Sequence, residues 1–183
     1  TKTSLDSYVS VLMMENKVVT KKVLERAGIS VPGGYEYTSP EAGMADYRMY
    51  AGKPVVIKPK STNFGLGITI LKHNYDETDF KAALQIAFEH DNTVLIEKFI
   101  PGREFRIFII NDEVVGILHR VPANVTGDGV LNIGQLIDRK NEDPLRGKGY
   151  RTPLEKIRKG REEEMFLKQQ GMDFNTVPKE GEV

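Results

Sequence analysis

The run Val55-Val56-Ile57-Lys58-Pro59-Lys60-Ser61-Thr62-Asn63-Phe64-Gly65-Leu66-Gly67-Ile68 constrains this chain more than any other. Val55, Val56 and Ile57 predict a buried strand. Lys58 stands at its end, and Pro59 stops the ladder because it has no N–H to donate. Ser61, Thr62, Asn63, Gly65 and Gly67 then form a loop in which glycine lets backbone N–H groups approach an anion closely. Ile68 to Leu71 predicts a second strand. A strand, a Gly-rich turn and a strand make a flap that can cover a polyphosphate beside a fixed cation. It is not a P-loop, since no Gly-Lys-Ser/Thr closes it, and not a dinucleotide fingerprint, since a strand rather than a helix follows. Taken alone, a plain hairpin turn with a solvated lysine accounts for the segment equally well.

The chain has 183 residues, enough for one domain or two small subdomains. With 39% hydrophobic and 28% charged residues it reads as an ordinary soluble globular protein. Lysine plus arginine equal aspartate plus glutamate at 26 each, which argues against a nucleic-acid or anionic-membrane footprint. No apolar run approaches the ~20 residues of a membrane span. The absence of cysteine excludes disulfides, thiolate metal sites and thiol nucleophiles, and fits a cytosolic setting. The start at Thr1 and the turn-like end at 177–183 lead us to expect a piece of a longer chain.

Asn16 is a good N-cap for a helix over Lys17–Ala27, ended by Gly28. A short strand is expected at Tyr35–Tyr37 and a helix from Ser39 to about Tyr50, with Pro40 at its first position. Asp76–His90 carries Phe80, Ala83, Leu84, Ala87 and Phe88 at helical spacing. Thr93–Phe99 is the next strand. Glu104–Ile110 and Val114–Arg120 form a hairpin around Asn111-Asp112-Glu113. The Gly-rich loop Val125–Asn132, a helix over Ile133–Arg139, a polar loop over Asn141–Arg151 and a helix over Pro153–Gln170 complete the reading. Leu12, Met13 and Met14 read as core or as a docking face. His73, His90 and His119 have no metal spacing, and Glu162 to Glu164 read as a solvated helix face.

The segment Glu97-Lys98-Phe99-Ile100-Pro101-Gly102-Arg103-Glu104 links the two strand sets. Its backbone at Glu97 to Ile100 suits the edge of a base, and Glu104 suits two ribose hydroxyls. A linker with a solvated glutamate is the plainer alternative. Lys17 opening a helix, Lys58 ending a strand, the Gly-rich flap and E-K-F-I-P-G-R-E resemble, in that order, the ATP-grasp family. Further segments are similar to the glutathione-synthetase module of bacterial bifunctional glutathione-forming enzymes, with cyanophycin synthetase near in pattern. They are M-E-N-K-V-V-T-K-K-V-L (14–24), E-K-F-I-P-G-R-E-F-R-I-F (97–108), H-R-V-P-A-N-V-T-G-D-G (119–129) and L-I-D-R-K-N-E-D-P-L-R-G (136–147).

The resemblance implies an α+β ATP-grasp fold truncated at its C-terminus. Residues 1–15 would lead in from an upstream domain, 16–100 would form an antiparallel lid, and 101–183 would begin the central subdomain. Lys17 and Lys58 would contact phosphates, Ser61, Thr62, Asn63, Gly65 and Gly67 would cover them, and Glu97, Lys98, Phe99 and Ile100 would hold adenine. Glu104 would bind ribose. Arg106 and Arg120 would face the transferred phosphate and the acceptor carboxylate, a task that suits a planar, always-charged guanidinium. Asn124, Asp128 and Asn132 either bind peptide polar groups or shape their loop. The implied cofactors are ATP and Mg²⁺, with metal ligands beyond this chain because Asp138, Glu142 and Asp143 do not match the family's positions. The implied reaction joins γ-glutamylcysteine and glycine through an acyl phosphate, in a chain that also carries glutamate–cysteine ligase activity. A cyanophycin-synthetase-like ligase and a non-catalytic nucleotide-binding module are the alternatives. No nucleic-acid or membrane partner is expected, and unpaired strand edges offer a surface for homo-oligomers.

Overall fold

The computed structural model describes residues 7–62, 65–72, 74–149 and 151–183. Asn63 of the predicted flap and His73 lie outside them. The chain divides into two compact units, one ending at Phe99 and one running from Ile100 to Val183.

The first unit opens with α1 (Tyr8–Glu15), capped by the Ser7 hydroxyl, and α2 (Lys17–Arg26). As predicted, the Asn16 side chain caps α2, accepting from the N–H groups of Val18 and Val19. β1 (Gly34–Tyr37) follows, then α3 (Pro40–Ala45) and α4 (Tyr47–Tyr50), where one helix was expected; the two part at Asp46. β2 (Val55–Pro59), β3 (Thr69–Leu71), α5 (Glu77–Phe88) and β4 (Val94–Lys98) complete the unit. The four strands form one sheet in the order β1-β4-β2-β3, antiparallel at every junction. The antiparallel sheet expected in this part of the chain is present.

Alternation divides this sheet into two faces. Val55, Ile57, Leu71, Val94 and Ile96 are buried, and α5 packs on β2, β3 and β4. An aromatic cluster closes this core. Phe80 is fully buried against Tyr47 (ring centroids 5.3 Å apart), Tyr50 (5.7 Å) and Tyr75 (6.3 Å). The Tyr75 hydroxyl donates to the carbonyls of Tyr50 and of Lys53 (2.8 Å), which satisfies its polar end. Burial pushes that phenol up to about 12. Asp76 caps α5 in a reciprocal capping box with Asp79. The other sheet face carries Val56, Lys58, Leu95 and Glu97.

The second unit holds the hairpin β5 (Glu104–Ile110) and β6 (Glu113–Arg120), followed by α6 (Ile133–Lys140). The hairpin turns through Asn111 (φ 48°) and Asp112 (φ 65°), both left-handed, as a two-residue turn matching strand twist requires. Apolar residues on both faces are exposed, among them Phe105, Ile107, Ile117 and Leu118. β7 (Arg146–Gly147) and β8 (Leu154–Glu155) form a minimal parallel pair within what was read as a loop and the start of a helix. The helix expected over Pro153–Gln170 shrinks to α7 (Arg161–Lys168). Gly160 is its N-cap, extended at φ −105° and ψ −174°, and Glu162, Glu163 and Glu164 fill the first turn, where carboxylates favour a helix start. Ile133, Ile137 and Leu167 make a small core with Val125, Ile157, Met172 and Phe174 around it.

Phe80→Ala should destabilise the first unit by about 3–5 kcal/mol, whereas Asp76→Ala should cost about 1 kcal/mol through the lost cap. Urea unfolding checks both; equal costs would mean that the aromatic cluster is not the centre of this core.

Candidate functional site

The sheet face opposite α5 carries the predicted phosphate lysine. Lys58 points to Glu97 on the neighbouring strand, and its ammonium pairs with Glu97 Oε2. The other oxygen, Oε1, accepts from Lys21 Nζ at 2.9 Å. The Glu97 side chain is 4% exposed and each lysine 22%, so one buried carboxylate is shared by two half-shielded cations. Burial pushes the Glu97 carboxyl up, but the hydrogen bonds from Lys58 and Lys21 outweigh it and hold the group below its ordinary value. Sequence reasoning missed Lys21. Its one signal was its place four residues after Lys17, on the same helix face.

Lys17 Nζ donates to the carbonyls of Pro59 (3.1 Å) and Thr62 (2.7 Å), so α2 is fastened to the end of β2 and the start of the flap. Burial and the neighbouring Lys58 charge both lower the Lys17 ammonium from its ordinary value. Lys21 and Lys58 thus share the Glu97 carboxylate, and Lys17 lies within electrostatic reach of Lys58, Asp91 and Glu97, a cluster of three cations and two carboxylates whose surplus positive charge suits an anion.

The flap is anchored at both ends. Ser61 donates to Asp91 Oδ2 through its backbone N–H (2.7 Å) and its hydroxyl (2.6 Å), and Thr62 Oγ1 donates to the Leu66 carbonyl (3.1 Å). Gly65 (φ 78°) and Gly67 (φ 70°) are left-handed, and a Cβ on Gly67 would sit 2.7 Å from both Pro59 and His90. That contact also accounts for His90 as a packing residue. Asp91, too, was missed, because nothing in its local sequence marks it as an anchor.

In the predicted base-reading segment, the amides of Lys98 and Phe99 donate to the carbonyls of Gly33 (2.8 Å) and Pro54 (3.0 Å). Those two N–H groups therefore tie the end of β4 to its neighbours and are already bonded, leaving the segment's other backbone groups and its side chains to any ligand. Lys98 and Lys21 also line a groove of about 880 Å³ beside β1, with Gly33, Gly34 and Tyr35.

In the second unit, Glu104 and Arg120 are cross-strand partners, and Arg120 Nη1 donates to Glu104 Oε1 at 2.6 Å. Both are exposed, at 64% and 53%. Arg106, paired in register with Leu118, lies on the same hairpin face. His119 stacks on Phe105 across the other face, ring centroids 5.1 Å apart. The polar residues of the Gly-rich loop shape it. Asp128 accepts from the amides of Val130 (3.0 Å) and Leu131 (2.8 Å) and from Arg139 (2.9 Å). Asn132 caps α6, and Asn124 accepts from Lys140 (2.9 Å). A Cβ on Gly127 would run into the Lys179 carbonyl, so the loop lies flush on the last residues. Among the described residues no three His, Asp or Glu side chains converge into a metal site. Asp138 pairs with Lys159 (2.6 Å), and Asp143 caps its own turn at Leu145.

The family model for the RimK-like ATP-grasp domain matches residues 14–140, a span that contains the flap, the lysine–glutamate cluster and the hairpin. The chain belongs to the RimK-like ATP-grasp family. It is 60% identical over 97% of its length to a protein of Desulfotalea psychrophila, and 54% identical over its whole length to one of Clostridium perfringens. Both are named "Glutathione biosynthesis bifunctional protein GshAB". The chain spans 23% of each. A bifunctional glutathione synthetase from Pasteurella multocida, known from its crystal structure, is 49% identical over 99% of this chain and 24% of that one, with a TM-score of 0.47. Among the described residues no helix is long and apolar enough to cross a membrane.

A carboxyl held lower in the folded chain than in the unfolded one contributes stability that is present above the unfolded value and lost as pH falls through the folded one. Thermal stability of this ATP-grasp chain should therefore decline below about pH 4.5, the ordinary value for Glu97. Glu97→Gln should cost about 3–5 kcal/mol near neutrality and lose part of that acid dependence. A variant curve parallel to the wild type from pH 7 to 3 would contradict the assignment.

Proposed function

We propose that the chain carries the nucleotide-holding part of an ATP-dependent carboxylate–amine ligase. In this reading the full protein makes glutathione from γ-glutamylcysteine, glycine and ATP, and also carries glutamate–cysteine ligase activity, in the cytoplasm. The observation that carries the reading is the buried Glu97 carboxylate shared by Lys21 and Lys58, with Lys17 bound to the Pro59 and Thr62 carbonyls where the Gly-rich loop begins. The relatives' shared name supports the choice of substrates over a cyanophycin-synthetase-like reaction.

The roles follow from chemistry. Lys58 and Lys17 neutralise phosphate oxygens as charge moves onto them. Ser61, Thr62, Asn63, Gly65 and Gly67 form the cover, with amides free of Cβ shielding at the glycines. Glu97, Lys98, Phe99 and Ile100 border the base, and Glu104 accepts from ribose hydroxyls. Arg120 and Arg106 steer the acid's carboxylate and the transferred phosphoryl group with planar, permanently charged forks. The carboxylate attacks the γ-phosphorus, ADP leaves, and an acyl phosphate forms. The amine then attacks the acyl carbon, loses a proton, and phosphate departs. The protein positions the reactants and neutralises charge, and no side-chain nucleophile is required. ATP-grasp chemistry is supported by Mg²⁺, for which the described residues offer no carboxylate cluster.

In the full-length protein, Lys58→Ala should weaken binding of a non-hydrolysable ATP analogue at least about tenfold by calorimetry. Arg120→Ala should keep nucleotide binding and lower turnover about 10²-fold or more. Undiminished phosphate release in both variants would overturn these roles.

A further inference from the structure

We propose that Lys21 is a positioning residue: by holding one oxygen of the Glu97 carboxylate, it keeps the Lys58 ammonium available to an anionic ligand. This deepens the reading above and rests on Lys58 meeting phosphate.

Glu97 is among the few buried charged residues of the described chain, and each of its oxygens takes one ammonium, Lys21 at Oε1 and Lys58 at Oε2. Two cations on one carboxylate leave one positive charge on the group. Lys58 keeps donors that Glu97 does not use, because an ammonium carries three. Without Lys21, Glu97 would direct both oxygens at Lys58, the pair would be neutral, and an incoming phosphate would compete with a buried carboxylate for the same donor. The neighbouring cations Lys17 and Lys60 bond other acceptors rather than Glu97. Lys17 is bound to the Pro59 and Thr62 carbonyls, and Lys60 pairs with Glu36 at 2.8 Å. Lys21 also lines the groove beside β1, so the carboxylate grip and the open surface meet at this side chain.

The test is nucleotide affinity in the full-length protein, read by calorimetry with a non-hydrolysable ATP analogue, with urea unfolding of each variant as the fold control. Lys21→Met should bind about tenfold more weakly, and Lys21→Arg, which keeps the charge and the donor, should bind within about threefold of the wild type. The decisive variant is Lys21→Met combined with Glu97→Gln. It restores one positive charge to the group and frees Lys58, so it should bind the analogue several-fold more tightly than Lys21→Met. If Lys21 were only a structural strut, the double variant would bind no better than Lys21→Met, and that result overturns the inference. Wild-type affinity in a folded Lys21→Met overturns it as well. Failure of the wild-type protein to bind the analogue would instead overturn the nucleotide reading itself, and the role of Lys21 with it.

Discussion

A carboxylate buried between two lysines governs the first unit. Glu97 could not stay charged at 4% exposure without Lys21 and Lys58, because transferring an unpaired carboxylate from water into protein costs several kcal/mol. Lys21, with Lys17, in turn fixes where α2 lies, since the two are four residues apart on one helix and reach different partners, Glu97 on β4 and the carbonyls of Pro59, at the end of β2, and Thr62. The helix, the strand end and the flap are therefore held by charge and hydrogen bonds on one sheet face, while the opposite face is held by apolar packing.

That division explains why the core is so one-sided. Val55, Ile57, Val94 and Ile96 meet α5 and the Phe80 cluster, and the β-branched and aromatic residues suit a pleated surface. A rigid backing lets the other face carry lysines and an exposed loop without losing its strand register. Arranging polar groups on such a backing keeps them in place before a ligand arrives, which lowers the ordering cost of binding.

Much of this was legible in local sequence. Asn16 and Asp76 announce their helices through capping chemistry, Val55–Ile57 announces β2, and Asn111-Asp112-Glu113 announces a hairpin turn, which the structure closes one residue tighter by pairing Glu113 with Ile110. What was not legible depended on distance or on weak local signals. The Lys21–Glu97 contact joins residues 76 apart, and Lys21 beside Lys22 reads as an ordinary solvated helix lysine. The helix α1 has no strong local signal: none of its residues is buried, and Leu12 and Met14, expected in a core or on a docking face, are exposed. Over Pro153–Gln170 the helical pattern was real only beyond Gly160, where a residue without a side chain and three glutamates set the start. Glu104 and Arg120 were each singled out for ligand roles, and the register that makes them neighbours follows from the hairpin turn.

The two ion pairs of the chain's candidate residues differ in what they commit. Glu97 is buried with its lysines, so breaking that contact leaves a desolvated charge and the arrangement persists whether or not a ligand is present. Glu104 and Arg120 are more than half exposed, and such a pair is worth only ~0–1 kcal/mol. Water or a ligand can replace either partner at little cost. The first contact thus sets the charge presented by the sheet, whereas the second is an exposed pair that solvent competes with. Two groups assigned to different parts of a reaction can occupy one exposed contact for this reason: the contact is weak enough that neither has to be broken away from the other by much of the binding energy.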